Sequence, residues 1–211
     1  MGIKNGIFIT FEGIEGSGKS THIKLLYSFL KKNISEKVFL TREPGGTKIS
    51  EKIRSLVIND LNEKSNPLTE LFLLFAARAE HFDLIKKKLK DGYIVLCDRY
   101  IDSTIAYQHY TGKIKLKYIN YLQLFIDKGQ KPNFTILIDL HPSIGKKRIA
   151  QRKKKLDRFD SESVKKMILI RNAFLKIYKN NIKRVFLVSN NLSKNEVQNK
   201  IRTIVLKRIN K

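Results

Sequence analysis

A glycine-rich stretch near the beginning of the chain carries a lysine and a serine at the spacing that binds phosphate. Residues 13–20 match the pattern G-x-x-x-x-G-K-[ST] and end in Lys19 and Ser20. Glycines let successive backbone N–H groups turn toward a phosphate, the N-terminus of a following helix adds partial positive charge, and Lys19 adds a full charge. Ser20 would place its hydroxyl on Mg²⁺. This chemistry predicts a site for the phosphates of a nucleotide.

The residues on either side predict the strand and the helix that such a loop requires. Residues 7–11 are β-branched and aromatic, as in a buried strand, and residues 19–32 carry apolar side chains at helical spacing. Because strand, loop and helix come in the required order, a chance glycine turn is the weaker interpretation.

A second polar group follows the apolar run 93–97, where Asp98 and Arg99 are adjacent. A carboxylate that ends a strand beside a phosphate-binding loop is placed to hold Mg²⁺ directly or through water. Arg99 can bind a phosphate through two nitrogens, although a surface ion pair is the alternative. The single cysteine, Cys97, lies in the apolar run and is expected to be an inert core residue.

A third loop carries Arg42 and Glu43 at the end of a predicted strand over residues 36–41. Pro44 and the two glycines that follow it indicate a sharp turn at the edge where open α/β sheets bind ligands. The residues alone leave an ordinary turn and a ligand-binding loop equally open.

The rest of the chain alternates between predicted helices and strands without repeats or low-complexity linkers. The predicted helices cover residues 48–58, 67–90, 116–126, 142–149 and 193–209, and a further helix runs from a cap at Ser161 to about residue 180. The predicted strands cover residues 134–140 and 184–188. We therefore expect an α/β fold in three layers, with a mainly five-stranded parallel sheet flanked by helices, and a single domain over residues 1–211.

The composition favours a globular protein with a strongly basic surface. The 211 residues carry a net charge of +24, but the lysines are scattered along helices without interleaved aromatic residues. We interpret most of this charge as solvated surface and the rest as attraction for anionic nucleotides. No apolar run approaches the roughly 20 residues of a membrane span, and the first strand leaves no room for a signal peptide, so we expect a cytoplasmic protein.

Positive charge is densest over residues 146–160, which include Arg148, Arg152 and Arg158. Such a run is usually a solvated helix face. In an enzyme that transfers phosphoryl groups, the same run could form a lid that closes over the nucleotide and supplies an arginine.

Four motifs in order give the chain a resemblance to a known family. They are the glycine-rich loop, the segment 42–47, the segment Phe-Ala-Ala-Arg at 75–78, and Asp-Arg-Tyr at 98–100 followed by Ser-Thr-Ile-Ala-Tyr-Gln. Over residues 7–159 the chain resembles the bacterial thymidylate kinases. The resemblance implies a P-loop NTPase fold of the nucleoside monophosphate kinase type. It also implies transfer of the γ-phosphoryl group of ATP to dTMP, giving dTDP for dTTP biosynthesis, and a homodimer packed through helices.

The resemblance implies two sets of binding residues. The set for ATP is Gly13, Ile14, Glu15, Gly16, Ser17, Gly18, Lys19, Ser20 and Thr21, with Mg²⁺ near Ser20 and Asp98. The set for dTMP is Glu15, Arg42, Glu43, Arg54, Phe75, Arg78, Arg99, Ser103, Thr104, Tyr107 and Gln108. Phe75 would stack on thymine, although an aromatic residue in an apolar helical stripe usually belongs to the core. Arg78 would bind the base, Arg99 and Arg54 the dTMP phosphate, and Tyr107 would exclude a ribose 2′-hydroxyl.

The resemblance further implies that Lys19, Arg99, Arg152 and Arg158 are catalytic. Gly16 occupies the position where some thymidylate kinases carry a catalytic arginine, so in this chain the arginine would come from the lid. We favour Arg152, followed by Arg158. The lid departs from the family pattern in the lysines at 153–155 and in an aspartate at position 160, where glutamate is usual.

Two other functions remain open at this point. One is a kinase of another pyrimidine nucleotide, dUMP or UMP, because only the room for the 5-methyl group separates thymine from uracil. The other is a basic P-loop protein that binds nucleic acid, although no stacking module is visible. A guanine-nucleotide switch is disfavoured because the chain lacks Asn-Lys-x-Asp.

Overall fold

Five parallel strands form one sheet in the computed structural model, which describes residues 6–61, 65–152 and 156–209. The strands are β1 (Ile7–Glu12), β2 (Val38–Arg42), β3 (Ile94–Asp98), β4 (Phe134–Asp139) and β5 (Val185–Ser189), and their order across the sheet is β2-β3-β1-β4-β5. The lysines at 153–155 that we predicted as part of the lid lie outside the described residues.

Eight α-helices connect and cover the strands within the described residues. They are α1 (Lys19–Asn33), α2 (Lys48–Ser55), α3 (Pro67–Lys90), α4 (Ile101–Thr104), α5 (Leu116–Asp127), α6 (Pro142–Ala150), α7 (Val164–Asn180) and α8 (Lys194–Ile209). Helices α2 and α4 continue into π-helical turns, Leu56–Asp60 and Ile105–Thr111. None of the described helices is long and apolar enough to cross a membrane.

The helices form two outer layers because successive strand side chains point to opposite faces of the sheet. On one face, Ile9 and Phe11 of β1 pack in a core with residues of α1 and α8. On the other face, Phe8 packs with residues of α3, α4 and α5, and Leu137 of β4 packs with α6 and α7. The predicted three-layer α/β fold with a five-stranded parallel sheet is confirmed.

The predicted start of helix α7 was wrong. The cap of helix α7 lies two residues later than expected, because the side chain of Ser163, not of Ser161, accepts from the N–H of Lys166. The N–H of Ser161 instead bonds the carbonyl oxygen of Asp157 in the preceding turn. Both serines are good capping residues, so sequence alone could not separate them.

The parallel sheet brings the predicted site residues to one edge. In the register of the strands, Asp98 of β3 pairs with Phe11 of β1 on one side and with Arg42 of β2 on the other. Since the glycine-rich loop follows β1 directly, the phosphate loop, the Arg42 loop and the Asp98 segment all start from the carboxyl ends of neighbouring strands.

Candidate functional site

A cavity of about 290 Å³ opens at this edge, and most of the predicted site residues line it. Those on its wall are Glu15, Gly16, Gly18, Lys19, Ser20, Thr21, Arg42, Glu43, Arg54, Arg78, Asp98, Arg99, Ser103, Thr104, Tyr107, Gln108 and Arg152. Gly13, Ile14, Ser17, Phe75 and Arg158 are not among the lining residues in the described part of the chain.

The glycine-rich loop wraps around the ammonium group of Lys19. Its Nζ donates to the carbonyl oxygens of Gly13 and Ile14 at 2.9 and 2.8 Å. Burial, followed by the like charge of Arg99, lowers the pKa of Lys19 to about 8. The side chain therefore keeps most of its positive charge at pH 7 and faces a cavity suited to anionic phosphates.

Gly16 lies where the loop approaches α6. Its φ is +73°, and a Cβ at this position would lie 2.4 Å from the carbonyl oxygen of Gly145. A side chain at position 16 would therefore collide with the backbone of α6, which explains why no loop arginine can stand there in this arrangement.

Ser20 and Asp98 meet at the mouth of the loop, where Ser20 Oγ donates to Asp98 Oδ2 at 2.7 Å. Hydroxyl and carboxylate oxygens are ligands that Mg²⁺ prefers, and this ion commonly keeps water and phosphate oxygens as its other ligands. The described residues contain no cluster of three or more His, Cys, Asp or Glu that could hold a metal alone. The donor set therefore fits a metal shared with a nucleotide.

Arg99 has a left-handed backbone conformation, with φ of +72°. Its Nη2 donates to Glu15 Oε1 at 2.6 Å, and its Nη1 donates to the carbonyl oxygen of Gly13 and to Ser103 Oγ at 3.1 and 3.0 Å. Burial lowers the pKa of Arg99, but electrostatic interactions with Tyr107, Glu15 and Asp98 outweigh it and the net shift is upward. Arg99 is thus a permanently charged group held in a fixed orientation.

Glu12 is a buried carboxylate that sequence reasoning gave no role. It is 1% exposed and accepts from the N–H of Tyr100 at 2.8 Å and from the N–H and hydroxyl of Ser103 at 3.3 and 2.5 Å. Burial, followed by the charge of Asp102, raises the pKa of Glu12 to about 8. Glu12 therefore ties the segment that carries Arg99 to β1. A carboxylate in an otherwise apolar strand was the available signal.

Arg78 crosses the far side of the cavity between two aromatic rings. Its guanidinium carbon lies 4.9 Å from the ring centres of both Phe75 and Tyr100. Its Nε donates to Glu43 Oε2 at 2.9 Å and its Nη2 to Thr104 Oγ1 at 3.0 Å. Its Nη1 is buried and has no hydrogen-bond partner among the described residues.

Phe75 is not on the cavity wall, and its expected stacking on a bound base stays a prediction. The side chain is 1% exposed and packs in the core with Leu71, Ile101 and other residues. The preceding residue, Leu74, lines the cavity instead. Residues one apart on a helix point about 100° apart, so only one of the two can face the cavity.

The π-helical turn after α4 supplies the remaining wall. The hydroxyl of Tyr107 donates to both oxygens of Glu15 at 2.7 and 2.6 Å. Gln108 donates from Nε2 to Glu70 Oε1 at 2.8 Å, and Arg158 donates to the other oxygen of Glu70 at 2.9 Å. Glu70 thereby joins the predicted lid to the wall, a contact that the sequence did not suggest.

The three arginines that we considered in the predicted lid occupy different places. Arg152 lines the cavity and donates to Asp160 Oδ1 at 3.1 Å. Arg148 donates to the carbonyl oxygen of Asn190, and Arg158 is engaged with Glu70. Of the three, Arg152 is the one on the wall in the described part of the chain.

Together, the fold and the cavity define a P-loop phosphotransferase whose phosphate loop shares one cavity with Arg78 and Arg99. Residues 11–201 match the family model described as thymidylate kinase. The chain therefore belongs to the thymidylate kinase family. Membership of this family confirms the predicted reaction, which is ATP-dependent phosphorylation of dTMP in dTTP biosynthesis. It does not favour either of the two alternative functions.

Individual relatives cover most of the chain. It is 48% identical to the thymidylate kinase of Sulfurihydrogenibium sp. over 83% of this chain and 84% of that protein. It is 41% identical to the thymidylate kinase of Geotalea daltonii, over 97% and 99%. The crystal structure of thymidylate kinase from Ehrlichia chaffeensis superposes with a TM-score of 0.78 at 32% identity, covering 95% of this chain and 99% of that one.

Proposed function

We propose that the cavity holds ATP and dTMP together, with the γ-phosphoryl group of ATP between the phosphate loop and Arg99. The observation that carries the proposal is that Lys19, on the loop, and Arg78, on the far wall, line one continuous cavity. A donor nucleotide and an acceptor nucleotide could therefore meet inside it.

The nucleotide assignment is tested by ADP release from purified protein in a coupled assay. We expect dTMP to be preferred over dUMP, UMP and dCMP as acceptor. A preference for any other acceptor would contradict the proposal.

On the donor side, the loop residues 13–21 would surround the ATP phosphates, with Lys19 adding its charge. Ser20 and Asp98 would hold Mg²⁺. When bound, this ion neutralises part of the phosphate charge and helps to orient the phosphoryl group.

On the acceptor side, Arg99 and Arg54 would bind the dTMP phosphate. Burial, followed by the like charges of Arg42 and Arg99, lowers the pKa of Arg54. Cations crowded in this way are stabilised by a dianion between them, which supports a phosphate at this place. Arg42 itself donates to Glu51 on the exposed surface at 2.7 Å, so we assign it to the rim.

The rest of the acceptor pocket suits a deoxynucleoside. Nη1 of Arg78, which has no partner among the residues that the structure describes, would donate to a carbonyl of the base. Leu74 would supply an apolar contact beside it. Tyr107, held by Glu15, would stand beside the sugar and exclude a 2′-hydroxyl. Thr104 and Gln108 complete the wall.

The transfer itself requires no protein base. The second pKa of a phosphate monoester is about 6, so the acceptor phosphate is largely ionised at pH 7. The protein has to align two anions and stabilise the charge that develops between them. We assign this to Lys19, Arg99 and Arg152, with residues 146–160 as the lid of a single catalytic domain.

We also propose that the protein is a cytoplasmic homodimer. Support for a dimer comes from an apolar face on α3 and α5, whose large side chains remain exposed in one chain: Leu68, Phe72, Tyr118, Tyr121, Leu124 and Phe125. Phe125 is 78% exposed. A second copy of the chain would cover these side chains. A cytoplasmic location agrees with the nucleotide substrates.

A further inference from the structure

We propose that Glu43 is a positioning residue that, together with His81, fixes Arg78 and so sets the preference for a base with a carbonyl at position 4. The inference rests on the proposed function, because it assumes that Arg78 binds the base. It changes the role of Glu43, which the sequence suggested as a direct contact to dTMP.

Glu43 is committed to protein partners. It is 4% exposed, and its two oxygens accept from different groups: Oε2 from Arg78 Nε at 2.9 Å and Oε1 from His81 Nδ1 at 3.3 Å. Arg78 and His81 are 3% and 0% exposed. A carboxylate buried between two donors is strongly held in place, since removal of either partner leaves a polar group unsatisfied.

His81 lies between Glu43 and Thr41 and is hydrogen-bonded to both. Its Nε2 lies 2.6 Å from Thr41 Oγ1. The tautomer that satisfies all groups has the Thr41 hydroxyl donating to Nε2 and Nδ1–H donating to Glu43. A Cβ on Gly46 would lie 2.4 Å from His81 Nε2, so the ring is packed against this loop and has no room to turn.

These contacts leave Arg78 a single orientation. Nε is bonded to Glu43, Nη2 to Thr104, and the plane lies between the rings of Phe75 and Tyr100. Only Nη1 remains buried without a partner in the described residues. A guanidinium can only donate, so a rigid Nη1 would donate to a carbonyl oxygen opposite it and would disfavour an amino group there.

Without the Glu43 carboxylate, the guanidinium would lose the contact that fixes its Nε edge. Arg78 could then rotate, or pair with other acceptors of the cavity, and its donor would no longer have a defined direction. The expected defect is in the choice between acceptors more than in phosphoryl transfer itself.

The test compares dTMP with 5-methyl-dCMP, which share sugar, phosphate and methyl group but differ at position 4 of the base. In Glu43→Gln we expect the ratio of kcat/KM for dTMP to that for 5-methyl-dCMP to fall about tenfold or more. The KM for ATP should not change. Glu80→Gln, an exposed change on the same helix as Arg78, is the control that should keep the wild-type ratio.

His81 gives a second variant in case Glu43→Gln fails to fold. His81→Asn retains a side-chain N–H that can replace Nδ1–H, whereas His81→Phe removes it. We expect the ratio of kcat/KM for dTMP to that for 5-methyl-dCMP to fall below the wild-type value in His81→Phe and to fall less in His81→Asn. In an Arg78→Gln background, Glu43→Gln should not change the ratio further.

The outcomes separate this inference from the proposed function. Equal losses with both acceptors in Glu43→Gln and His81→Phe would show a merely structural role and overturn the inference, as would an unchanged ratio. If the wild-type protein released no ADP with dTMP, the proposed function would itself fail.

Discussion

The hydroxyl of Ser20 donates a 2.7 Å hydrogen bond to Oδ2 of Asp98, which joins the phosphate loop to the end of β3. The two residues stand 78 positions apart in the chain, and the parallel pairing of β1 with β3 brings them together. An oxygen pair in this position is suited to share one divalent cation with a nucleotide.

The metal assignment predicts a changed Mg²⁺ requirement in Asp98→Asn. The amide keeps the size of the side chain but removes the charge, so we expect the Mg²⁺ concentration for half-maximal activity to rise about tenfold or more. Initial rates over a Mg²⁺ series at fixed ATP measure this. Asp83→Asn, on the exposed face of α3, is the control. An unchanged Mg²⁺ midpoint in Asp98→Asn would refute the assignment.

The two lid arginines should differ in their effects. Arg152 lines the cavity, so we expect Arg152→Ala to reduce kcat by about 1,000-fold, as for other arginines that act on a moving phosphoryl group. Arg158 pairs with Glu70, so Arg158→Ala should mainly raise the KM for dTMP through the neighbouring Gln108. Steady-state kinetics with both substrates distinguish them. A larger loss of kcat in Arg158→Ala would reverse the two roles.

Leu74 and Phe75 should also separate in their effects. We expect Leu74→Ala to raise the KM for dTMP with little loss of stability, because this side chain lines the cavity. Phe75→Ala should cost about 3–5 kcal/mol of unfolding free energy, as is usual for a buried phenylalanine. Denaturant unfolding and dTMP kinetics of both variants check this. If Phe75→Ala were stable and defective only in dTMP binding, the core placement of Phe75 would be wrong.

Glu12 predicts a pH dependence of stability. Its pKa in the folded protein is about 8, against an ordinary value of 4.5, so between these values the folded protein retains a proton that the unfolded chain has released. Its contribution is therefore fully present below pH 4.5 and is lost as the pH rises through 8. The free energy of unfolding of the wild type, relative to Glu12→Gln, should fall over this range. Guanidinium unfolding at several pH values measures the difference. A difference that rises with pH would mean that the carboxylate is ionised in the fold.

The proposed dimer predicts that a charge on the apolar face of α3 and α5 produces monomers. Phe125→Glu should sediment as a monomer at concentrations where the wild type is a dimer, because an exposed charge prevents burial of the face. Ile182→Glu changes another exposed apolar residue, 64% exposed and outside α3 and α5, and should leave the dimer intact. A wild-type monomer in sedimentation velocity would exclude the proposal.

The strands and the phosphate loop could be predicted because their signals are local. Each strand is a short apolar run, and residues 13–20 carry the loop pattern within eight consecutive positions. The role of Glu12 could not be predicted in this way. Its partner Ser103 lies 91 positions away, and nothing near Glu12 in the sequence indicates that partner.

The choice between Leu74 and Phe75 shows a second limit. Both are apolar and adjacent on α3, so periodicity places both near the core-facing stripe. Only the packing of Phe75 against Tyr100 and Ile101 decides that Phe75 is inside and Leu74 faces the cavity. The family resemblance pointed to this turn of α3, and the role of each of the two side chains toward a base stays a prediction.

The contact between Gly16 and Gly145 limits how closely α6, which leads into the lid, can approach the phosphate loop. The phosphate loop touches α6 through bare backbone, so α6 cannot approach it further. A movement of Arg152 toward the loop would therefore have to arise beyond Gly145, and α6 ends at Ala150. The reach of the arginine then depends on the number of residues beyond this contact. One inserted residue would displace it by up to about 3.5 Å, more than the length of a hydrogen bond.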